Sequence, residues 1–316
     1  MKTNRHACAI WIMAMIVLQL GVLPDLRATE PGPKKGNIAL KSLTSITFND
    51  DGILFIADPL AAHVYAIETH AVAQTFAENF NVKDIDEKLG ALLGVQAKDI
   101  RIVDMAVNPK SKEIYLAVSR KGSPAQSVLV KTDAQGKLQT VDLTNVSFYE
   151  TTLKNLPAPG AKLPQEWHSL ALAVTDMAFV DGELLVAGLS GEEFSSRLRR
   201  FSFPFSEQSQ SVQLEIFHTS HDVYETRSPI ETFLPFTING QKHILAGYGC
   251  SPVAKFSLQD IRSKNQLRGI TVAELGGGNR PLDMIAYKKD GKDYVMIANS
   301  DRTMMRMSSE DLDKAK

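Results

Sequence analysis

Five stretches of this chain share one pattern of apolar and polar positions. Each opens on a polar residue and runs through a short alternating segment: Ser45–Phe48, Asp104–Val107, Asp176–Phe179, Glu231–Leu234 and Asp283–Ala286. Alternation with period two predicts half-buried β-strands. A turn follows each one, and then a second predicted strand, at 53–58, 113–119, 183–189, 242–248 and 293–300. These second strands are rich in β-branched and apolar residues and close on small or polar pairs such as Ala57-Asp58, Ala187-Gly188, Ala246-Gly247 and Ala298-Asn299. Third strands are predicted at 63–68, 127–133, 197–203, 252–258 and 303–307, and outer fourth strands at 74–80, 138–143, 212–217 and 269–275.

A repeated unit of three or four antiparallel strands predicts an all-β fold, a β-propeller of five four-stranded blades. The copies begin farther apart than the roughly 40 to 50 residues of one blade, so the connections carry insertions. The fifth copy lacks an outer strand, whereas a spare one, 37–43, precedes the first blade. Pairing that spare strand with the fifth blade would close the ring without an exposed sheet edge. A sixth, degenerate blade inside an insertion is the competing count, and an open stack or sandwich is the competing fold.

Around this domain, 37–308, lie an expected signal peptide at 1–28, a polar linker at 29–36 and a charged tail at 309–316. Lys2 and Arg5 precede an apolar run from Ala7 to Leu23, and the stretch ends near Leu26-Arg27-Ala28. That order predicts export to a secreted or periplasmic location, with a membrane anchor as the alternative if the signal is uncleaved. Cleavage leaves Cys250 as the single thiol, so no internal disulfide is expected. The net charge of -1, with no Lys/Arg run longer than two, argues against nucleic acid as a partner. The chain also lacks Cys-x-x-Cys-His, Gly-x-Ser-x-Gly and His-Glu-x-x-His motifs.

Propeller topology brings the starts of the innermost strands to one mouth of a central channel, so Ser45, Asp104, Asp176, Glu231 and Asp283 are expected to ring it. Carboxylates this close raise one another's pKa, and they must share protons, pair with cations or bind an ion. Arg101, Arg227 and Arg280 lie three or four residues ahead of three of them and are expected at the same mouth. Three readings follow: ion pairs that lock blades, a hard-cation site at Asp104, Asp176, Glu231 and Asp283, or a polar small-molecule pocket. The connections add a short helix over 84–94 capped by Asp84, and a Pro-rich stretch at 145–173 carrying Trp167 and His168, read as a lid or docking surface. His218 and His221 form a His-x-x-His pair, a weak metal or general-base signal that is more often two solvated loop histidines.

The phrases TSITFNDDGILFIAD (44–58), RIVDMAVNPKSKEIYLAVS (101–119) and RPLDMIAYKKDGKDYVMIANS (280–300) resemble the blades of secreted NHL-type and related propellers. The resemblance is one of pattern, over residues 37–308. It implies a module that binds a protein or small ligand without catalysis. It also implies an alternative, a calcium-dependent hydrolase like the gluconolactonase and paraoxonase lactonases. Such an enzyme would ask for a central calcium held by acidic and asparagine side chains, with Asp104, Asp176, Glu231 and Asp283 as ligands here and Ser45 in the fifth place.

Overall fold

A computed structural model describes residues 32–121, 126–159, 170–206, 208–219, 222–249 and 251–315. The expected signal at 1–28, His221, Cys250, Trp167 and His168 lie outside them. The chain opens with β1 (Lys34–Gly36), β2 (Ser45–Phe48), β3 (Ile53–Asp58) and β4 (His63–Glu68), then α1 (Ile85–Leu93). Strands β5 (Ile100–Val107), β6 (Ile114–Arg120), β7 (Gln126–Thr132) and β8 (Leu138–Thr140) follow, and then β9 (Val146–Thr152). The third copy comprises β10 (Asp176–Val180), β11 (Glu183–Leu189), β12 (Ser196–Ser202), β13 (Ser209–His218) and β14 (Val223–Glu225). The fourth contains β15 (Ile230–Ile238), β16 (Gln241–Tyr248), β17 (Pro252–Ser257), α2 (Leu258–Ser263), β18 (Gln266–Arg268) and β19 (Ile270–Glu274). The last is β20 (Pro281–Lys289), β21 (Lys292–Asn299) and β22 (Met305–Ser308), followed by α3 (Ser309–Lys314).

The strands pair into five small sheets, the blades of a five-blade β-propeller. Inner strands pack β5 on β2, β2 on β10, β10 on β15 and β15 on β20. Numbered by first strand, the blades therefore follow one another as two, one, three, four, five. The cause is β9, which returns after blade two and pairs antiparallel with β4, Val64 opposite Thr151. Blade two is thus inserted between the third and fourth strands of blade one. The expected outer strand at 74–80 is not a strand; Gln74 instead donates its N–H to Ser111 O (3.0 Å) and its side-chain amide to Glu113 (3.1 Å). The start of that segment is thus tied to blade two, and Phe76 and Phe80 pack on each other, rings 4.8 Å apart.

The expected closure of the fifth blade by 37–43 is also corrected. The N-terminal strand is β1, within the expected linker, and it pairs with β9 on the outer edge of blade one. Residues 37–43 form no strand; Ile38 donates its N–H to Leu143 O (3.0 Å), and Ile38 and Leu43 are buried in the apolar cluster between blades one and two. Asp58, fully buried at the end of β3, pins them there: it accepts from Lys41 N (2.8 Å), Ser42 N (2.9 Å), Ser42 Oγ (2.7 Å) and Ala61 N (3.1 Å). The fifth sheet keeps three strands. The expected charged tail folds as α3, capped by Ser308 and anchored by buried Leu312. Helix α1 forms where expected, although Asp84 at its start adopts φ 53 and makes no side-chain cap.

Apolar clusters fill the junctions between blades two and one, one and three, three and four, and four and five. The small residues that end the second strands allow this approach. A Cβ on Gly247 would lie 2.6 Å from Met284 Cε and 2.7 Å from Pro281 Cγ of the next blade. Among the described residues no such cluster joins blade five to blade two. Instead α1 lays Leu89 on Leu116, Val118 and Val130 of blade two, away from blade one. The inner strands at that junction stay uncovered: Met105 is 50% exposed and Ile285 52%.

Asp58→Ala leaves three part-buried backbone donors and a hydroxyl without their side-chain acceptor. We expect it to lower stability by about 3 kcal/mol in denaturant titrations, with the folded circular dichroism spectrum retained.

Candidate functional site

The starts of the inner strands do meet. They border a central cavity of about 290 Å³ lined by Asp104, Asp176 and Asp283 together with Ile46, Met177, Phe233 and others. Cross-strand register defines the equivalent position in each blade. Ser45 lies opposite Ala57, Asp104 opposite Ala117, Asp176 opposite Ala187 and Asp283 opposite Ala298. In blade four that place belongs to Thr232, opposite Gly247; Glu231 sits on the bulge just before it, where blades two and five have Val103 and Leu282. In ring order the position therefore reads Asp104, Ser45, Asp176, Thr232, Asp283.

Two of these aspartates bracket neighbouring blades. Asp104 accepts Met105 N–H on Oδ1 (2.7 Å) and, on Oδ2, Ile46 N–H of blade one (2.7 Å). Asp176 repeats the arrangement with Met177 N–H (2.7 Å) and Phe233 N–H of blade four (2.7 Å). The hydroxyls of Ser45 and Thr232 favour the ionised form of the same carboxyls. Burial still dominates. It raises Asp104 to about 6 and Asp176 well above the usual carboxylate range, the latter with the added repulsion of Asp104. Asp283 is raised by partial burial; its Oδ1 accepts Met284 N–H (2.7 Å), and no donor among the described residues reaches its second oxygen.

The remaining expected site residues separate. Glu231 accepts Arg280 Nη2 at 2.7 Å, an ion pair between blades four and five. Arg227 turns away from the mouth to Glu193, with Nε 3.1 Å from its carbonyl. Arg101 is exposed and makes no ion pair with Asp104. His218 is buried at the end of β13, with Nδ1 2.7 Å from Glu225 Oε1, on the outer part of blade three. The four expected calcium ligands are not gathered as one set: Asp104, Asp176 and Asp283 line the cavity, and Glu231 does not. Asp104 and Asp176 already turn an oxygen each to neighbouring backbone N–H groups, and Glu231 faces an arginine. No group of three or more His, Cys, Asp or Glu among the described residues is arranged to hold a metal. Thr232 is not marked in the sequence because blade four carries its carboxylate one residue early, on the bulge, and a hydroxyl at the aspartate's place.

No protein-family model matches the chain, and no curated protein does so. Several solved structures are similar. The extracellular domain of BT4673 from B. thetaiotaomicron shares 11% identity over 83% of this chain, with a TM-score of 0.30. The chain spans 27% of that protein's length. The β-propeller domain of Myceliophteria thermophila Cps50 (Swd1) shares 12% identity over 85% of this chain and 70% of that one, TM-score 0.36. Trypanosoma rangeli sialidase shares 11% identity over 87% of this chain and 55% of its own, TM-score 0.37. Among the described residues no helix is long and apolar enough to cross a membrane.

A carboxyl that is raised on folding binds more protons in the folded state than in the unfolded one, so stability falls as pH rises between the two values. For Asp104 the window runs from about 4, the ordinary aspartate value, to about 6. We expect the wild-type melting temperature to fall across that window and Asp104→Asn to flatten the fall, as read by thermal scans at fixed ionic strength. Asp176→Ala strands the Phe233 N–H and should cost about 2 to 3 kcal/mol, whereas Asp283→Ala should stay within about 0.5 kcal/mol in the same denaturant assay.

Proposed function

We propose that this protein is an exported, non-catalytic propeller, of the kind that NHL-type domains exemplify, and that it binds a protein or small ligand through its channel-mouth face. The observation that carries the reading is where exposed apolar surface falls. Ile102, Met105 and Val107 on β5 and Leu282 and Ile285 on β20 are all more than a third exposed, on the two inner strands that flank the junction without an apolar cluster. Soluble proteins seldom leave neighbouring large apolar side chains uncovered without a binding use for them. The polar groups of the mouth support binding over catalysis, because Asp104 and Asp176 are engaged in holding backbone and Glu231 in an ion pair. The basic residues and apolar run at 2–23 support export.

The test compares immobilised wild type with Met105→Glu, Ile285→Glu and the control Leu60→Glu, which alters an apolar residue of blade one that is 49% exposed. We expect a component of the protein's native surroundings to be retained by wild type and control and lost from the two junction variants, all four melting alike. Identical retention by all four would overturn the reading, as would turnover of lactones or esters that Asp176→Asn abolishes.

A further inference from the structure

The inner-strand position alternates around the ring: an aspartate in blades two, three and five, a hydroxyl residue in blades one and four. Each bracketing aspartate reaches in the same rotational sense. Asp104 of blade two takes the N–H of Ile46, which follows Ser45 in blade one; Asp176 of blade three takes the N–H of Phe233, which follows Thr232 in blade four. Asp283 continues the series. Its own-strand bond, Met284 N–H to Oδ1 at 2.7 Å, matches those of Asp104 and Asp176, so its carboxylate is presented in the same way. Blade two, next in that sense, offers a third aspartate instead of a hydroxyl residue, and Met105 N–H is already held by Asp104. The second oxygen of Asp283 therefore lacks, among the described residues, the N–H that its two counterparts receive.

The surroundings define what could supply it. Uncovered apolar side chains stand on both sides, Met105 and Val107 from blade two and Leu282 and Ile285 from blade five. Helix α1 covers the second and third strands of blade two, packing Leu89 on Leu116, Val118 and Val130. Only the strip along the inner strands remains.

Resting on the binding role proposed above, the geometry points to one occupant: a single extended strand of another protein, lying between β5 and β20, that carries Ser or Thr followed by a bulky apolar residue. The N–H of that apolar residue would bond Asp283, the preceding hydroxyl would lie beside the carboxylate, and the flanking apolar side chains would cover Met105 and Ile285. The hydrogen bond sets register, and apolar burial supplies most of the affinity.

The chain contains a suitable probe, since residues 43–50 already perform this part toward Asp104. A fluorescent peptide of that sequence is titrated against the full-length protein and read by anisotropy. We expect saturable binding, weakened about tenfold by Asp283→Ala and about tenfold by N-methylation of the peptide at the Ile46 position, with Asp283→Asn intermediate because it keeps an acceptor. Absence of saturable binding up to about 1 mM overturns the inference, a limit that corresponds to only about 4 kcal/mol of binding. Equal affinity for the N-methylated peptide overturns it as well. If Met105→Glu then still weakens that peptide, the binding role of the face survives without the bracket; if Met105→Glu and Ile285→Glu change nothing, both readings fall. Sedimentation of the protein alone closes the test: a dimer dissociated by Asp283→Ala would make a second copy the occupant and overturn the assignment to a foreign strand.

Discussion

An inner propeller strand has a sheet partner on one side only, so the N–H groups on its channel side must find acceptors elsewhere or be left dry. At the mouth of this channel the acceptor is a carboxylate from the adjoining blade. Asp104 and Asp176 each join one residue of their own strand to one residue of the next, with every bond at 2.7 Å. Such a bracket fixes the relative height of two blades more tightly than apolar packing, which tolerates sliding. The cost is desolvation of the carboxyl, visible in the raised pKa of both residues. The acidic mouth is thus first a device of assembly, and its chemistry follows from that role.

The scaffold was legible because its signals are local. Period-two alternation and the small pairs after each second strand depend on neighbours a few residues away, and strands such as Ile53–Asp58 and Glu183–Leu189 fall where the pattern puts them. What was not legible depends on distant partners. Gln74–Phe80 has the alternation of an outer strand, yet Val146–Thr152 wins that place against β4. Choosing between two such segments takes the packing of a whole blade, which no window of sequence contains.

The site divides in the same manner. Convergence of Ser45, Asp104, Asp176 and Asp283 follows from topology once the repeat is recognised. Glu231 looked equivalent because it opens its phrase with a carboxylate, but it stands on the bulge and Thr232 takes the place. The arginines misled for a related reason. Three residues along a strand reverse the face a side chain takes, and bulges between Ile102 and Asp104 and between Pro281 and Asp283 alter the parity again. Arg280 consequently meets Glu231 of blade four instead of Asp283. The exposed Met105 and Ile285 read as ordinary strand residues until the ring order is known.

The insertion of blade two within blade one has a consequence for synthesis. On the ribosome β4 emerges long before its partner β9, with all of blade two between them, so the first sheet must wait as three strands with an open edge. Blade two, whose four strands are contiguous in sequence, can meanwhile close locally. The chain must therefore complete its second sheet to deliver the last main strand of its first. A stall anywhere between residues 69 and 145 leaves an unpaired β4 edge, the kind of surface that recruits other chains into aggregates.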